Sequence, residues 1–271
     1  MEEIDIQEIK KIGLKTLLFF DDFCNKHNLT YYISYGTLIG AIRHKGFIPW
    51  DDDVDLWMMR EDYDRLIALS DEMDGQPYKL NCVQSNPDLA IPFAKVTRTD
   101  TVLLPSRFIT GYLYGCSIDI FPLDTVGDYT SEEDALKALL KVKEKHLKVI
   151  NKYHQYTGGK KEHGLKRILK ESLYKLSTIR YGSISDVMNK YSYSLVDEFP
   201  DAKGEYLATV AGDHVFKKEW YSERVYLDFE GYKFPAPIEY DKALKSEYGD
   251  YMQLPPKEQQ VIPHLFKAYY I

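Results

Sequence analysis

The stretch Trp50-Asp51-Asp52-Asp53-Val54-Asp55-Leu56-Trp57 places four carboxylates within five positions. In a β-strand, alternate side chains share a face, so Asp51, Asp53 and Asp55 would project together while Val54 and Leu56 face a core. Neighbouring carboxylates on that face lie about 7 Å apart, and at an effective dielectric of ~20 each pair costs roughly 2.4 kcal/mol. A strand gains nothing structural from such repulsion. A divalent cation reverses its sign, and hard Mg²⁺ takes oxygen ligands, commonly one or two carboxylates plus substrate phosphate. The competing reading is a solvated acidic loop, where screening makes the repulsion negligible. Both readings stand on these residues alone.

Other residues bear on the choice. Gly36-Thr37 falls between an expected strand and an expected helix, where glycine permits close backbone approach and free helix N–H groups can meet phosphate. Arg43-His44-Lys45 follows, three candidate cations ahead of the acidic run. Asp119 is a lone charge in the apolar stretch Ser117-Ile118-Asp119-Ile120-Phe121, and isolated buried aspartates are rare unless paired or bound to metal. A strand–Gly–Thr–helix unit, an Asp-x-Asp strand and a separate strand with one Asp resemble the layout of nucleotidyltransferase-type folds, in which three carboxylates hold Mg²⁺ against nucleotide phosphates.

The elements that must position these groups follow from periodicity. Residues 5–28 read as a helix, Tyr31 to Ser34 as a strand, Leu38 to Arg43 as a short helix, Asp51 to Trp57 as a strand and Glu61 to Met73 as a helix. Further strands are expected at Lys79–Val83, Phe93–Thr97 and Ser117–Phe121. Ser131-Glu-Glu-Asp134 resembles a capping box opening a helix to about Tyr153, with Leu136, Leu139, Leu140, Leu147 and Ile150 on one face. A connector at 157–164 leads to a second amphipathic helix bearing Leu165, Ile168, Leu169, Leu173 and Leu176. A hairpin is expected about Glu230-Gly231, then a helix ending near Gly249. The expected architecture is α+β, a mixed β-sheet core flanked by helices. It forms one domain, with its core at about 28–126, a helical insertion at about 130–205 and a small C-terminal α/β segment at about 206–271.

The run Tyr35-Gly-Thr-Leu-Ile-Gly-Ala-Ile-Arg-His-Lys-Gly-Phe-Ile-Pro-Trp-Asp-Asp-Asp-Val-Asp55 closely resembles the signature of the LicD family, bacterial phosphocholine transferases acting on cell-surface glycopolymers. Phe229-Glu-Gly-Tyr-Lys-Phe-Pro-Ala-Pro237 and Tyr248-Gly-Asp-Tyr251 with Leu254-Pro-Pro256 resemble that family's tail, whereas 130–205 carries no matching motif. The zinc-binding cysteines of the similar fukutin-type transferases have no counterpart here. The resemblance implies transfer of phosphocholine or a related phospho-alcohol from a CDP-activated donor to a sugar hydroxyl, as in teichoic acid or lipopolysaccharide, with release of CMP. It further implies Mg²⁺ or Mn²⁺ held by Asp53, Asp55 and Asp119 with help from Asp51. Asp119 would take the acceptor's proton, Gly36 and Thr37 would lie near donor phosphates, and Arg43, His44, Lys45 and Lys95 would act as cationic clamps. Trp50, Trp57 or nearby tyrosines could face a choline head, against the plainer reading of core packing. His264 is a further residue that could reach the site, and Cys116 reads as a small buried hydrophobe. Two other enzyme readings share the acidic motif, namely a nucleotidyltransferase releasing pyrophosphate and a glycosyltransferase using a nucleotide sugar. A non-catalytic binding module would be expected to lack one of the acidic positions.

Composition narrows the setting. The 271 residues carry a formal charge of −7, which argues against general nucleic-acid binding. Three scattered cysteines exclude a disulfide scaffold, no apolar run is long enough to cross a bilayer, and the acidic N-terminus is unlike a signal peptide. A cytoplasmic protein is expected. Its charge is uneven, since Lys137 to Arg180 holds 13 Lys/Arg against 3 Asp/Glu. That segment reads either as an ordinary solvated helical pair or as a surface for a lipid-linked glycan acceptor at the inner membrane face. In both readings its apolar stripes are expected to pack inward.

Overall fold

Strand β1 (Glu3–Ile4) leads into helix α1 (Ile6–His27), whose first turn is capped by Asp5 on the Glu8 N–H at 2.9 Å. The computed structural model describes residues 1–73, 75–86, 89–105, 114–157, 165–261 and 266–271. After α1 come β2 (Tyr32–Ile33), α2 (Tyr35–Arg43), β3 (Asp55–Met59) and α3 (Arg60–Ala68). Then follow β4 (Tyr78–Asn81), β5 (Ala94–Arg98), β6 (Thr101–Pro105) and β7 (Ser117–Thr125). The middle of the chain is helical: α4 (Glu132–Thr157), α5 (Leu165–Tyr181), α6 (Ile184–Ser192) and α7 (Ser194–Glu198). The last part holds β8 (Tyr206–Ala208), β9 (Phe216–Lys217), β10 (Arg224–Phe229), β11 (Tyr232–Pro237), α8 (Tyr240–Tyr248) and β12 (Phe266–Tyr270). Helices and mixed sheets bear out the α+β expectation.

The main sheet runs β2-β3-β7-β5-β4, with β8 on the far part of β7 and β9 beyond it. Only β3 and β7 pair in parallel; the other pairs are antiparallel. Residues 206–217 therefore extend the core sheet and do not begin a separate unit. Helices α1 and α2 cover one side through Leu17, Phe20 and Leu38, which pack with Val54, Leu56, Ile118 and Ile120. The β10–β11 hairpin turns at Glu230-Gly231, where both residues have positive φ (52° and 82°) as a two-residue type I′ turn demands. A second sheet, β1-β12-β6, joins the two ends of the described chain.

Three expectations are corrected. Residues 51–54 are irregular, and the strand begins only at Asp55. Helix α2 starts at Tyr35, so Gly36 and Thr37 form its first turn and not a break before it. The helical faces also differ from their sequence reading. Helix α4 buries Ala135, Leu139, Val142, Ile150 and Tyr153, and turns Leu140 and Leu147 outward. Helix α5 departs further, with Ile168, Leu169 and Leu176 exposed.

Candidate active site

The register of three adjacent strands sets the site. Asp55 on β3 pairs in register with Asp119 on β7, and Asp119 with Lys95 on β5, so the three side chains stand in one row on one face. The Asp119 N–H donates to the Val54 carbonyl at 2.8 Å, and the Lys95 ammonium is ion-paired with Asp119 Oδ1. Lys95 also lies over the rings of Phe93 (5.3 Å) and Tyr114 (4.9 Å). Burial opposes its charge, yet Asp119, Tyr114 and Asp55 hold the ammonium above its usual range.

Helix α2 meets the head of this row. Its Thr37 hydroxyl accepts the Asp55 N–H at 2.9 Å, and the Ser34 N–H donates to the Asp55 carbonyl at 2.9 Å. Thr37 is therefore a positioning residue for Asp55. Gly36 has a different reason for its identity, because a Cβ there would collide with Asp51 Oδ2. The glycine lets the Asp51 carboxylate lie against the first turn of α2. Ser34, at the N-cap of that turn, makes no capping bond, and its buried Oγ has no partner.

The carboxylates act on one another. Burial, then the charges of Asp53, Asp119 and Asp51, push the Asp55 carboxyl well above its ordinary value. Asp51 and Asp53 thus reach the site from the irregular segment and Asp55 and Asp119 from strands. Lys10, which sequence reasoning missed, holds this segment by donating to the Ile48 (3.0 Å) and Pro49 (2.9 Å) carbonyls. Its ammonium is depressed by burial, and Asp51, Glu230 and Asp52 act against that shift. An amphipathic-helix reading assigns Lys10 to solvent, so no local signal marks it.

The structure does not bring the expected Arg-His-Lys clamp to the row. The Arg43 guanidinium donates to the Tyr251 carbonyl at 2.8 Å and to His44 Nε2 at 2.9 Å, tying α2 to the C-terminal tail. His44 is held below its usual range by burial and by Arg43 and Lys10. Lys45 is exposed with φ of 58°, and its carbonyl accepts the Glu230 N–H of the hairpin turn. Trp57 is wholly buried against Tyr35, Phe216 and Tyr221, in line with the plainer reading of core packing. Trp50 is half-buried beside His44, Cys116 is buried as expected, and His264 lies outside the described residues.

A second missed group is Glu247 on α8. Its side chain is 8% exposed, Oε1 lies 3.8 Å from His214 Nδ1, and Oε2 is buried without a hydrogen bond. Burial pushes its carboxyl up to about 8, and its charge acts on the hydroxyls of Tyr35, Tyr221 and Tyr248. By contrast Asp124, also on β7, is buried but compensated by two 2.7 Å bonds from Arg60, which further donates to the Ser192 carbonyl. One strand thus carries a structural aspartate and a site aspartate, and partner identity separates them.

As a test of metal fit, the donors Asp51, Asp53, Asp55 and Asp119 are all hard oxygen ligands, and a cation would offset the repulsion at buried Asp55, which Lys95 relieves only in part. Among the described residues no three His, Cys, Asp or Glu side chains converge on one point, and Asp119 faces Lys95. Two carboxylates therefore suit an ion whose remaining ligands come from substrate and water.

The fold and this site define an α+β protein whose acidic row is set by parallel strands beside a helix start. Residues 28–133 match the family model described as LicD/FKTN/FKRP, nucleotidyltransferase domain. Along its length the chain is 27% identical over 279 aligned residues, 99% of each chain, to the lipopolysaccharide cholinephosphotransferase LicD of Haemophilus influenzae. An uncharacterized protein of Rickettsia typhi is 45% identical over 58 residues, covering 21% of this chain and 19% of that one. One of Rickettsia prowazekii is 51% identical over 41 residues, 15% of each. The LicD resemblance read from the sequence is borne out by these matches.

Proposed function

We propose that the protein transfers phosphocholine, or a related phospho-alcohol, from a CDP-activated donor to a sugar hydroxyl of a lipopolysaccharide-type glycan. The full-length similarity to a lipopolysaccharide cholinephosphotransferase supports the transferred group and the acceptor class. The observation that carries the chemistry is the in-register row Asp55–Asp119–Lys95 beside the start of α2. A diphosphate seated there meets helix N–H groups and the Lys95 ammonium. The acceptor oxygen bonds to the phosphorus that carries the alcohol, the bond from that phosphorus to the bridging oxygen breaks, and CMP leaves with that oxygen. The hydroxyl proton passes to Asp119, whose Oδ1 is fixed by Lys95, so the other oxygen is the acceptor. Asp53 and Asp55, with Asp51 and Asp119 nearby, would hold Mg²⁺ or Mn²⁺, which supplies charge neutralisation for the diphosphate. The nucleotidyltransferase-type core of the reading fits this arrangement of helix start and carboxylate strands.

Incubation with CDP-choline, CDP-ribitol and CDP-glycerol, a glycan acceptor and Mg²⁺ tests the proposal. CMP formed in step with acceptor modification supports it and ranks the alcohols. Turnover only with a nucleoside triphosphate, with pyrophosphate released, would replace it with nucleotidyl transfer, and a nucleotide-sugar requirement with glycosyl transfer.

A further inference from the structure

Helix α5 is built inside out. The side that packs on α4 carries its more polar residues: the Tyr153 hydroxyl donates to the Ser177 carbonyl (3.0 Å), the Tyr153 and Tyr174 rings meet edge to face (5.6 Å), and Lys152 donates to the Tyr181 hydroxyl (3.1 Å). The opposite side is largely apolar, with exposed Ser172 among its apolar residues, and faces out. Ile168 is 61% exposed, Leu169 60%, Leu176 60% and Ile179 82%. At 100° per residue these four fall within about a third of the helix circumference. Exposed Lys166 and Arg180 border that arc on one edge and exposed Lys175 on the other. Soluble proteins seldom leave such a contiguous stripe in water.

We infer that this face of α5 lies in the surface of an anionic lipid bilayer, with the helix parallel to the membrane. The charge distribution selects that occupant. The segment from Lys137 to Arg180 holds ten more positive than negative residues in a chain whose net charge is −7. Lys137, Lys141, Lys145, Lys148 and Lys152 on α4 are exposed. A second copy docked on the same face would bring two such segments together and meet like-charge repulsion. An anionic headgroup layer meets them with attraction, while the apolar arc enters the acyl boundary and the flanking cations stay at the headgroups. Among the described residues no helix is long and apolar enough to cross a membrane, so contact is in the plane. The inference stands apart from the transferase reading, since none of these residues belongs to the carboxylate site. Its consequence for that reading is that a lipid-anchored acceptor would be met at the surface where it resides.

The test is sedimentation of the full chain with vesicles of equimolar phosphatidylglycerol and phosphatidylcholine, against pure phosphatidylcholine, at low and high ionic strength. The expected result is binding to the anionic vesicles, weaker in high salt, and little to the neutral ones. The double variant Ile168→Asn/Ile179→Asn should bind about tenfold less, and Lys166→Glu/Lys175→Glu should lose binding and its salt dependence. Both should keep wild-type melting temperature and turnover of a soluble acceptor. No binding at low salt, or binding unchanged in the Ile double variant, overturns the inference. So does a wild-type dimer in sedimentation velocity that the Ile variant renders monomeric, since the face is then a contact between copies. Absence of turnover with every CDP donor would remove the proposed function and leave the vesicle result intact.

Discussion

At the residue scale, the site is governed by charge that the protein leaves partly uncompensated. Asp119 has Lys95, and Asp124 has Arg60, but Asp55 is buried among Asp51, Asp53 and Asp119. Asp55→Asn should therefore cut kcat/KM by about a thousandfold, through loss of transition-state charge stabilisation, without lowering the melting temperature. Wild-type CMP release in that variant would dismiss the carboxylate row as the active site. Glu247 gives a pH prediction. Its folded carboxyl titrates at about 8 against an ordinary 4.5. Below pH 4.5 both states are protonated; between there and about 8 the unfolded chain gives up its proton while the folded one keeps it. Stability should fall across that window and level off above it, by at most about 4–5 kcal/mol at 1.36 kcal/mol per unit. Urea melts from pH 5 to 9 should show Glu247→Gln flattening this slope and gaining most at high pH.

At the element scale, Gly36 separates helix stability from site geometry. Alanine favours a helix over glycine by about 0.5–1 kcal/mol, yet its Cβ would displace the Asp51 carboxylate from the first turn of α2. Gly36→Ala is expected to hold or raise the melting temperature while kcat/KM falls at least about tenfold; equal changes in both would deny Asp51 a role. The same elements show what was legible in sequence. Strong periodicity gave α1 to within a residue at each end, and the Glu230-Gly231 pair gave the hairpin. Asp-x-Asp-x-Asp alternation mimicked a strand through residues 51–54, where mutual repulsion and the Lys10 grip on the preceding carbonyls favour an irregular path. Asp55 was found from the clustered aspartates before it, and Asp119 because an apolar strand with one charge is unusual. Lys10 and Glu247 were not, because only tertiary packing buries them. The faces of α4 and α5 were misjudged because leucine counts were read as burial, whereas Ala135, Val142 and Ser177 lie inside.

At the scale of the whole molecule, one tie between the helical segment and the sheet runs through a buried ion pair. Arg60 at the start of α3 clamps Asp124 of β7 and also donates to the Ser192 carbonyl at the end of α6. Asp124→Asn leaves the guanidinium with a weaker partner and should cost about 3–5 kcal/mol in denaturant unfolding. A change below 1 kcal/mol would show that the apolar contacts of α4 and α6 with β8 suffice to hold the segment.

The sheet β1-β12-β6 has an implication for the order of events during synthesis. Lys267 bonds Glu3 across 264 positions, so the contact cannot form until the last strand has been made. Asp55, Asp119 and Lys95 are all translated in the first half of the chain. The acidic row can assemble on the growing polypeptide, while the clasp between the two ends is added only afterwards. Because contacts of such separation are slow to close, Ile4 and Cys116 wait for Ala268 after the acidic row can already have formed.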